Sequence, residues 1–227
     1  MSDIRPAATV VLLRDAPDGL HVLLLRRNST LGFAAGQWVF PGGRVDAAEI
    51  DATPDAISAA RLAAARETQE EAQIRIDSSD DLVFYSHWTT PPVMPKRFAT
   101  WFFAARAPVD YAVTVDGGEI DDHLWVRPAD ALERQRHSEI EIMPPTFVTL
   151  IELAQCRDAD EVLARAAARE PPVFEPHFVA REGRPTVSLY SGDAGYGASD
   201  PDISGRRHRM VMARGEWVYL NDGVVSW

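Results

Sequence analysis

The sequence predicts an α+β fold, one mixed β-sheet with helices packed on it, followed by a C-terminal extension of helices and a β-hairpin. Three observations predict it. Strand-like runs of β-branched and leucine residues alternate with helix-like runs along residues 7–135. One helix-like run, residues 54–72, is dense in alanine, arginine, glutamate and leucine, which are strong helix formers. The 227 residues are 46% hydrophobic and 25% charged, which suffices for one sizeable core and suggests one compact domain with additions.

Residues 7–13 and 20–25 read as strands joined by the turn-rich segment Asp15 to Gly19, a local antiparallel pair. The stretch from Gly32 to Gly36 leads into the short apolar Trp38-Val39-Phe40, which Pro41-Gly42-Gly43 ends. Thr53 before Pro54 reads as an N-cap with proline at the first helical position. The helix then runs to Ala72, with Ile57, Ala60, Ala64 and Thr68 near one stripe. Strands are expected at 82–85 and 98–105, around a loop at 89–95 whose three prolines exclude strand or helix interior. A strand at 124–126 and a helix from Pro128 to about Gln135 follow. Pro144-Pro145 breaks the chain before a helix from Thr146 to about Gln155. A last helix, capped by Asp158 with Glu161 three residues on, reaches about Arg169.

Residues 1–145 are therefore read as the main domain and 146–227 as an extension. Its strand candidates are 187–190, 209–213 and 216–220, the last two joined by Arg214-Gly215, with a loose stretch at 191–205 between. Tyr190, Tyr196, Trp217, Tyr219 and Trp227 are too many aromatics for a free tail. They predict docking on the main domain or on a second copy, for which a two-fold homodimer is the default.

The formal charge of −11 disfavours a nonspecific grip on nucleic acid or an anionic membrane. The N-terminal run, interrupted at Arg14, does not read as a signal peptide, and no window approaches the roughly 18 apolar residues of a membrane span. Cys156 is the only cysteine, which excludes intrachain disulfides and cysteine-based zinc clusters. A cytoplasmic setting is expected.

Glu67, Glu70 and Glu71 stand at i, i+3 and i+4, within one narrow sector of one helix face. Like charges so placed repel, and a divalent cation reverses the sign. Hard oxygen ligands of this kind suit Mg²⁺ or Mn²⁺, which bridge a few carboxylates to substrate phosphates. Taken alone, the triplet reads more readily as a solvated helix face, since surface helices are rich in such residues. Gly43 and Glu49 upstream change the weighting.

Together, Gly43, Glu49, Arg66, Glu67, Glu70, Glu71 and Ile74 resemble the Nudix box: glycine, five residues, glutamate, seven residues, then Arg-Glu-U-x-Glu-Glu-x-Gly-U, with U bulky and apolar. Residues 50–65 lengthen the middle spacer by nine, Thr68 is a weak U, and Gln73 replaces the final glycine. The resemblance implies an αβα sandwich, with helix 54–72 on one side of the sheet and the other helices opposite. It also implies Mg²⁺- or Mn²⁺-dependent hydrolysis of a small nucleoside diphosphate derivative. In it, Glu67, Glu70 and Glu71 hold metal, Glu67 acts as ligand or base, Arg66 orients Glu67, and the backbone at Gly42 and Gly43 lets the diphosphate approach. The nine extra residues are absorbed as a loop and further helical turns, which leaves the placement of Glu49 open. The segments 36–43 and 88–98 resemble the coenzyme A diphosphatase branch. In that branch's signature Arg27, Gly36 and residues 40–43 fit, whereas Asn28 and Gly32 do not.

Glu119 resembles the later loop glutamate that supplies a metal ligand or base in this family; an acidic, solvent-facing turn is the alternative. Lys96 and Arg97 are candidates for a remote substrate phosphate, and Trp88 or Phe98 for stacking on a base, against a solvated loop with core aromatics. His123 reads as an ordinary strand residue. His87, His137, His177 and His208 have no telling spacing to Ser or Asp, and Cys156 has no nucleophile signature. Two function classes follow: a diphosphatase for coenzyme A, acyl-CoA, ADP-ribose or a related compound, or a non-catalytic Nudix ligand sensor. The full set of glutamates favours the enzyme.

Overall fold

The computed structural model describes residues 4–30, 34–109 and 111–226. Its strands are β1 (Ile4–Ala16), β2 (Gly19–Arg27), β3 (Trp38–Val39), β4 (Gly42–Arg44), β5 (Val83–Thr89), β6 (Arg97–Arg106), β7 (Ile120–Val126), β8 (Val173–Phe174), β9 (His177–Val179), β10 (Thr186–Leu189), β11 (His208–Ala213) and β12 (Glu216–Asn221). Its helices are α1 (Ala47–Ala52), α2 (Ala56–Ala72), α3 (Pro128–Arg136), α4 (Pro144–Leu153) and α5 (Ala159–Ala167).

β1 lies at the centre because residues 7–13 are buried without interruption, as a strand covered on both faces must be. It pairs antiparallel with β2 and β4 and parallel with β6. The main sheet runs β3-β2-β1-β6-β5-β8, with β4 added to β1 and β7 to β2. Alternate residues then enter two cores. Ala8, Val10, Leu12 and Phe103 pack under the alanine stripe Ala59, Ala60, Ala63 and Ala64 of α2. Val11, Leu13 and Phe102 face α4, α5 and the tail. This is the mixed-sheet αβα sandwich expected from the sequence, with α2 alone on its face save for the short α1.

The sequence misplaces several boundaries for physical reasons. α2 is capped by Asp55, whose carboxylate accepts from Ser58 N at 2.8 Å, and not by Thr53; Thr53 ends α1 and its hydroxyl donates to Glu49 O. The enlarged box is thus a separate helix, a break and then α2. β5 runs on to Thr89 because a register shift between Phe84 and Ser86 breaks the alternation that would mark it. β7 begins at Ile120, four residues early; among the described strands it pairs only with β2, and an edge strand tolerates Asp121 and Asp122. β8 and β9 have two and three residues, too few to show a period.

Trp88 cannot stack on a substrate base. It is buried, stacked on Phe174 at 3.9 Å and edge-on to Tyr190 at 5.7 Å. Tyr190 is wholly buried there, and Trp217 meets Phe147 at 5.4 Å, so the tail aromatics pack on the sheet's second face. Trp227 and Gly32 lie outside the described residues. The tail forms its own antiparallel sheet, β12-β11-β10-β9, fastened by the buried pair Arg209–Asp193 at 2.6 Å. Among the described residues no helix is long and apolar enough to cross a membrane.

Where the extension meets the sheet, Glu152 of α4 is buried, accepting from the Tyr85 hydroxyl and lying 3.4 Å from Arg169. Burial pushes its carboxyl up to about 8, against the opposing pull of Arg169 and Tyr85. The folded state therefore binds this proton more tightly than the unfolded chain. Its contribution to stability is full below the ordinary carboxyl range and falls as pH rises toward about 8. Glu152→Gln is expected to flatten that dependence, so the variant's melting temperature drops less than the wild type's between about pH 5 and about pH 8. Parallel slopes in thermal melts would contradict it.

Candidate active site

α2 carries its acids toward β4 because residues that face the sheet here are small. Ala64 and Thr68 are buried beneath it, and the Thr68 hydroxyl, which a bulky apolar residue would lack, is satisfied by Ala64 O at 2.7 Å. The helix stops at Gln73, which is left-handed at φ 54° with its N–H donating to Gln69 O. That is the turn for which glycine is the easier residue, at a cost of about 1 kcal/mol to glutamine.

Two glycines receive the helix. A Cβ on Gly43 would lie 2.3 Å from Glu67 Oε1, so the Glu67 carboxylate occupies the space a side chain would fill. A Cβ on Gly42 would lie 2.4 Å from Ala8 O, against backbone that cannot give way. Gly42 N donates to Glu71 Oε2 at 2.8 Å. Gly43→Ala is therefore expected to displace Glu67 and lower turnover by about 10²-fold or more while the protein still folds. Steady-state rates with circular dichroism would check this; a variant of wild-type rate would refute the packing argument.

Arg66 organises the acids from the side. Nε donates to Glu49 Oε1 at 2.8 Å, Nη1 to Glu67 Oε1 at 2.9 Å and to Glu70 Oε2 at 3.0 Å, and Nη2 to Arg44 O at 2.9 Å. Burial opposes its charge, but the hydrogen bonds it donates to Glu49 and Glu67 outweigh that and raise its pKa. α1 thus brings Glu49 to Arg66 in spite of the lengthened spacer. Glu67 is raised by burial, against the pull of Arg66. Glu71 is 5% exposed, and burial pushes its carboxyl up to about 8 even though Gly42 N–H favours its charged form. Glu70 is exposed.

Arg27 and Glu119 complete the arrangement. Arg27 lies 4.0 Å from Glu71 Oε1 and 3.5 Å from Glu119 Oε2. Glu119 is exposed and is delivered by a built turn. Asp116 accepts from Glu119 N and Ile120 N, and Gly117 sits at φ 73°. Asn28 N donates to Glu119 O and its Nδ2 to Gly118 O. Asn28 and Asp116 are the site residues the sequence reading missed, although Asp116-Gly117-Gly118 is a turn signal. Lys96 is exposed and Arg97 donates to Thr90 O at 3.1 Å. Arg97 is in register with Ile4 and Gly43 with Ala8 on β1, so roughly 13 Å separates them along the sheet. Among the described residues one serine hydroxyl meets a histidine ring, Ser199 Oγ at 3.1 Å from His177 Nδ1, a nitrogen that also lies 3.1 Å from Tyr196 O. His87 packs on Trp101, His177 on Tyr196, and His208 meets Ser191 O and the Tyr219 hydroxyl.

Residues 3–145 match the NUDIX domain model. The chain belongs to the Nudix family.

This Nudix chain is 25% identical to putative nudix hydrolase 7 of Caenorhabditis elegans over 193 residues, 70% of this chain and 63% of that one. It is 29% identical to acyl-coenzyme A diphosphatase NUDT19 of Xenopus laevis over 135 residues, 57% of this chain and 35% of that one. The matches span less than two thirds of these curated relatives' own lengths. A crystal structure of a NUDIX hydrolase from Alicyclobacillus acidocaldarius superposes with a TM-score of 0.65 at 27% identity, covering 72% of this chain and 97% of that one.

Nudix hydrolases generally use divalent cations, and the donor set here fits one. Among the described residues no three acidic or imidazole groups are already drawn together at ligating distance; Arg66, Arg27 and Gly42 N–H hold the carboxylates instead. All are hard oxygens, and two are buried enough to resist ionising, a penalty that a neighbouring divalent charge offsets.

Proposed function

We propose that this chain is a Mg²⁺- or Mn²⁺-dependent diphosphatase acting on a nucleoside diphosphate linked to another moiety. The observation that carries the reading is the placing of Glu71 against Gly42 and of Glu67 against Gly43, with Arg66 bonded to Glu67 and Glu70. Glu70 and Glu71 are the cation's carboxylates, and Glu67 is a further ligand or the base. When bound, the cation neutralises developing charge on the phosphoryl oxygens and makes a water molecule more acidic. Glu67, oriented by Arg66, or Glu119 on its turn takes the proton as water attacks phosphorus and the bridging P–O bond breaks. Gly42 and Gly43 admit the Glu71 and Glu67 carboxylates to the turn. The decisive experiment is product release from a panel of dinucleotide-like diphosphates with and without Mg²⁺. Cation-independent release defeats the metal-dependent reading, and no release from any member favours a ligand sensor.

Coenzyme A and its acyl esters are the first choice within that class. The likeness to acyl-coenzyme A diphosphatase supports it, as does the position of Lys96 and Arg97, far enough along the sheet to meet a phosphate remote from the scissile bond. ADP-ribose or another nucleoside diphosphate derivative is the second, because Gly32 stands where the branch signature has arginine and one charge-assisted contact of about 1.5–3 kcal/mol is missing. The expected result is a higher kcat/KM for coenzyme A than for its form lacking the 3′-phosphate, with the preference reduced in Lys96→Ala and Arg97→Ala. If ADP-ribose turns over faster and neither variant changes the preference, the coenzyme A assignment fails and the diphosphatase assignment stands.

A further inference from the structure

Two exposed arginines, Arg44 at the end of β4 and Arg5 near the start of β1, stand beside the candidate active site. Gly43 is in register with Ala8 and Arg44 with Ala7. Because side chains alternate along a strand, Arg44 belongs to the opposite face of the sheet from the one on which Glu67 covers Gly43. Arg5, two residues before Ala7, shares the face of Arg44. The two arginines are therefore diagonal neighbours on adjacent strands, about 7–8 Å apart at Cα. Arg97, in register with Ile4, alternates onto the Glu67 face instead.

Like charges so placed repel. Among the described residues no carboxylate pairs with either guanidinium, and Asp46, the acid nearest Arg44 in sequence, faces Arg66 at 3.7 Å. Arg44 serves the acids of α2 through its backbone alone, its carbonyl accepting from Arg66 Nη2 at 2.9 Å. Among the described strands β4 pairs only with β1, so its other edge carries no strand. A ligand held at Glu67 can pass over that edge to the arginine face, and Arg44, about 3.8 Å from Gly43 at Cα, is the first cation it meets there.

We propose that Arg5 and Arg44 clamp a phosphate monoester of the substrate, a second phosphate carried by the same nucleoside as the scissile diphosphate. This deepens the diphosphatase reading and rests on it. Three carbons separate the 3′ and 5′ oxygens of a ribose, so a 3′-phosphate stays close to a diphosphate at the α2 carboxylates and within reach of two long side chains that begin at β4 and β1. A dianionic monoester accepts hydrogen bonds from both guanidinium groups and turns their mutual repulsion into a shared attraction. A nucleic acid or an anionic membrane fits worse, because the chain's formal charge of −11 repels an extended polyanion, whereas a small anion meets only the local pair.

The test is calorimetric titration of the full chain, in saturating Mg²⁺, with adenosine 3′,5′-bisphosphate and with AMP, the same nucleotide with and without the second phosphate. An exposed ion pair contributes up to about 5-fold, so the wild type is expected to bind the bisphosphate about 5- to 25-fold more tightly than AMP. Arg5→Gln and Arg44→Gln should each reduce that preference, and the double variant should abolish it. Equal binding of the two nucleotides by the wild type, or measurable binding of neither, overturns the proposal without recourse to any variant. So does a preference that survives in the double variant, or one that is lost only in Lys96→Ala or Arg97→Ala. The diphosphatase reading is judged separately by Mg²⁺-dependent release from the substrate panel: release together with equal nucleotide binding overturns the clamp alone, whereas no release from any member overturns both.

Discussion

Glu70→Gln is expected to lower kcat by about 10²- to 10⁴-fold, the scale of losing one preorganised electrostatic or acid–base element. The change swaps one oxygen for an amide and leaves the shape intact. Glu70 is exposed, and the contact it makes in the site is with Arg66. The melting temperature should therefore move by no more than about 2 °C. That combination separates function from folding, since a helix face that is merely solvated would show neither effect. Near wild-type turnover with unchanged dependence on Mg²⁺ would remove Glu70 from the metal set.

The largest loss of stability is expected from Asp193→Ala. Asp193 and Arg209 are both buried and joined by two hydrogen bonds of 2.6 and 2.7 Å, and the same carboxylate accepts from Gly195 N and His208 N. Removing it leaves a buried guanidinium and two backbone N–H groups without these acceptors. Breaking such a pair typically costs about 3–5 kcal/mol, on the order of 10 °C in melting temperature for a chain of this size. The carboxylates of α2 lie on the opposite face of the main sheet, so turnover measured well below the transition should survive. A melt within about 2 °C of wild type would show that the loop 191–207 does not depend on this pair.

Much of the architecture was legible because it rests on short-range rules. The 3.6-residue periodicity of 54–72, the uninterrupted apolar runs of β1 and β2, and the Asp158 cap, whose carboxylate accepts from Glu161 N at 2.8 Å, are all local patterns. So was the shared helix face of Glu67, Glu70 and Glu71, since spacing on a helix sets it whatever the helix packs on. Where the period was broken, local reading failed: at the bulge in β5, in the edge strand β7, and in strands of two or three residues that exist only because a neighbouring strand offers hydrogen bonds.

What the sequence by itself determined was the set of acids and the helix that displays them, because a helix is a local periodic object. What the tertiary structure decided was their surroundings. Gly43 is needed because Glu67 fills its missing side chain, Glu49 reaches Arg66 through a helix that the lengthened spacer forms, and Arg27 and Asn28 meet the Glu119 turn from far along the chain. Those contacts join residues from 17 to about 90 positions apart, and no pattern along the chain encodes the distance across a sheet. Trp88 shows the same division. Its sequence neighbourhood suggested a substrate loop, and only the return of Phe174 and Tyr190 from the extension makes it core.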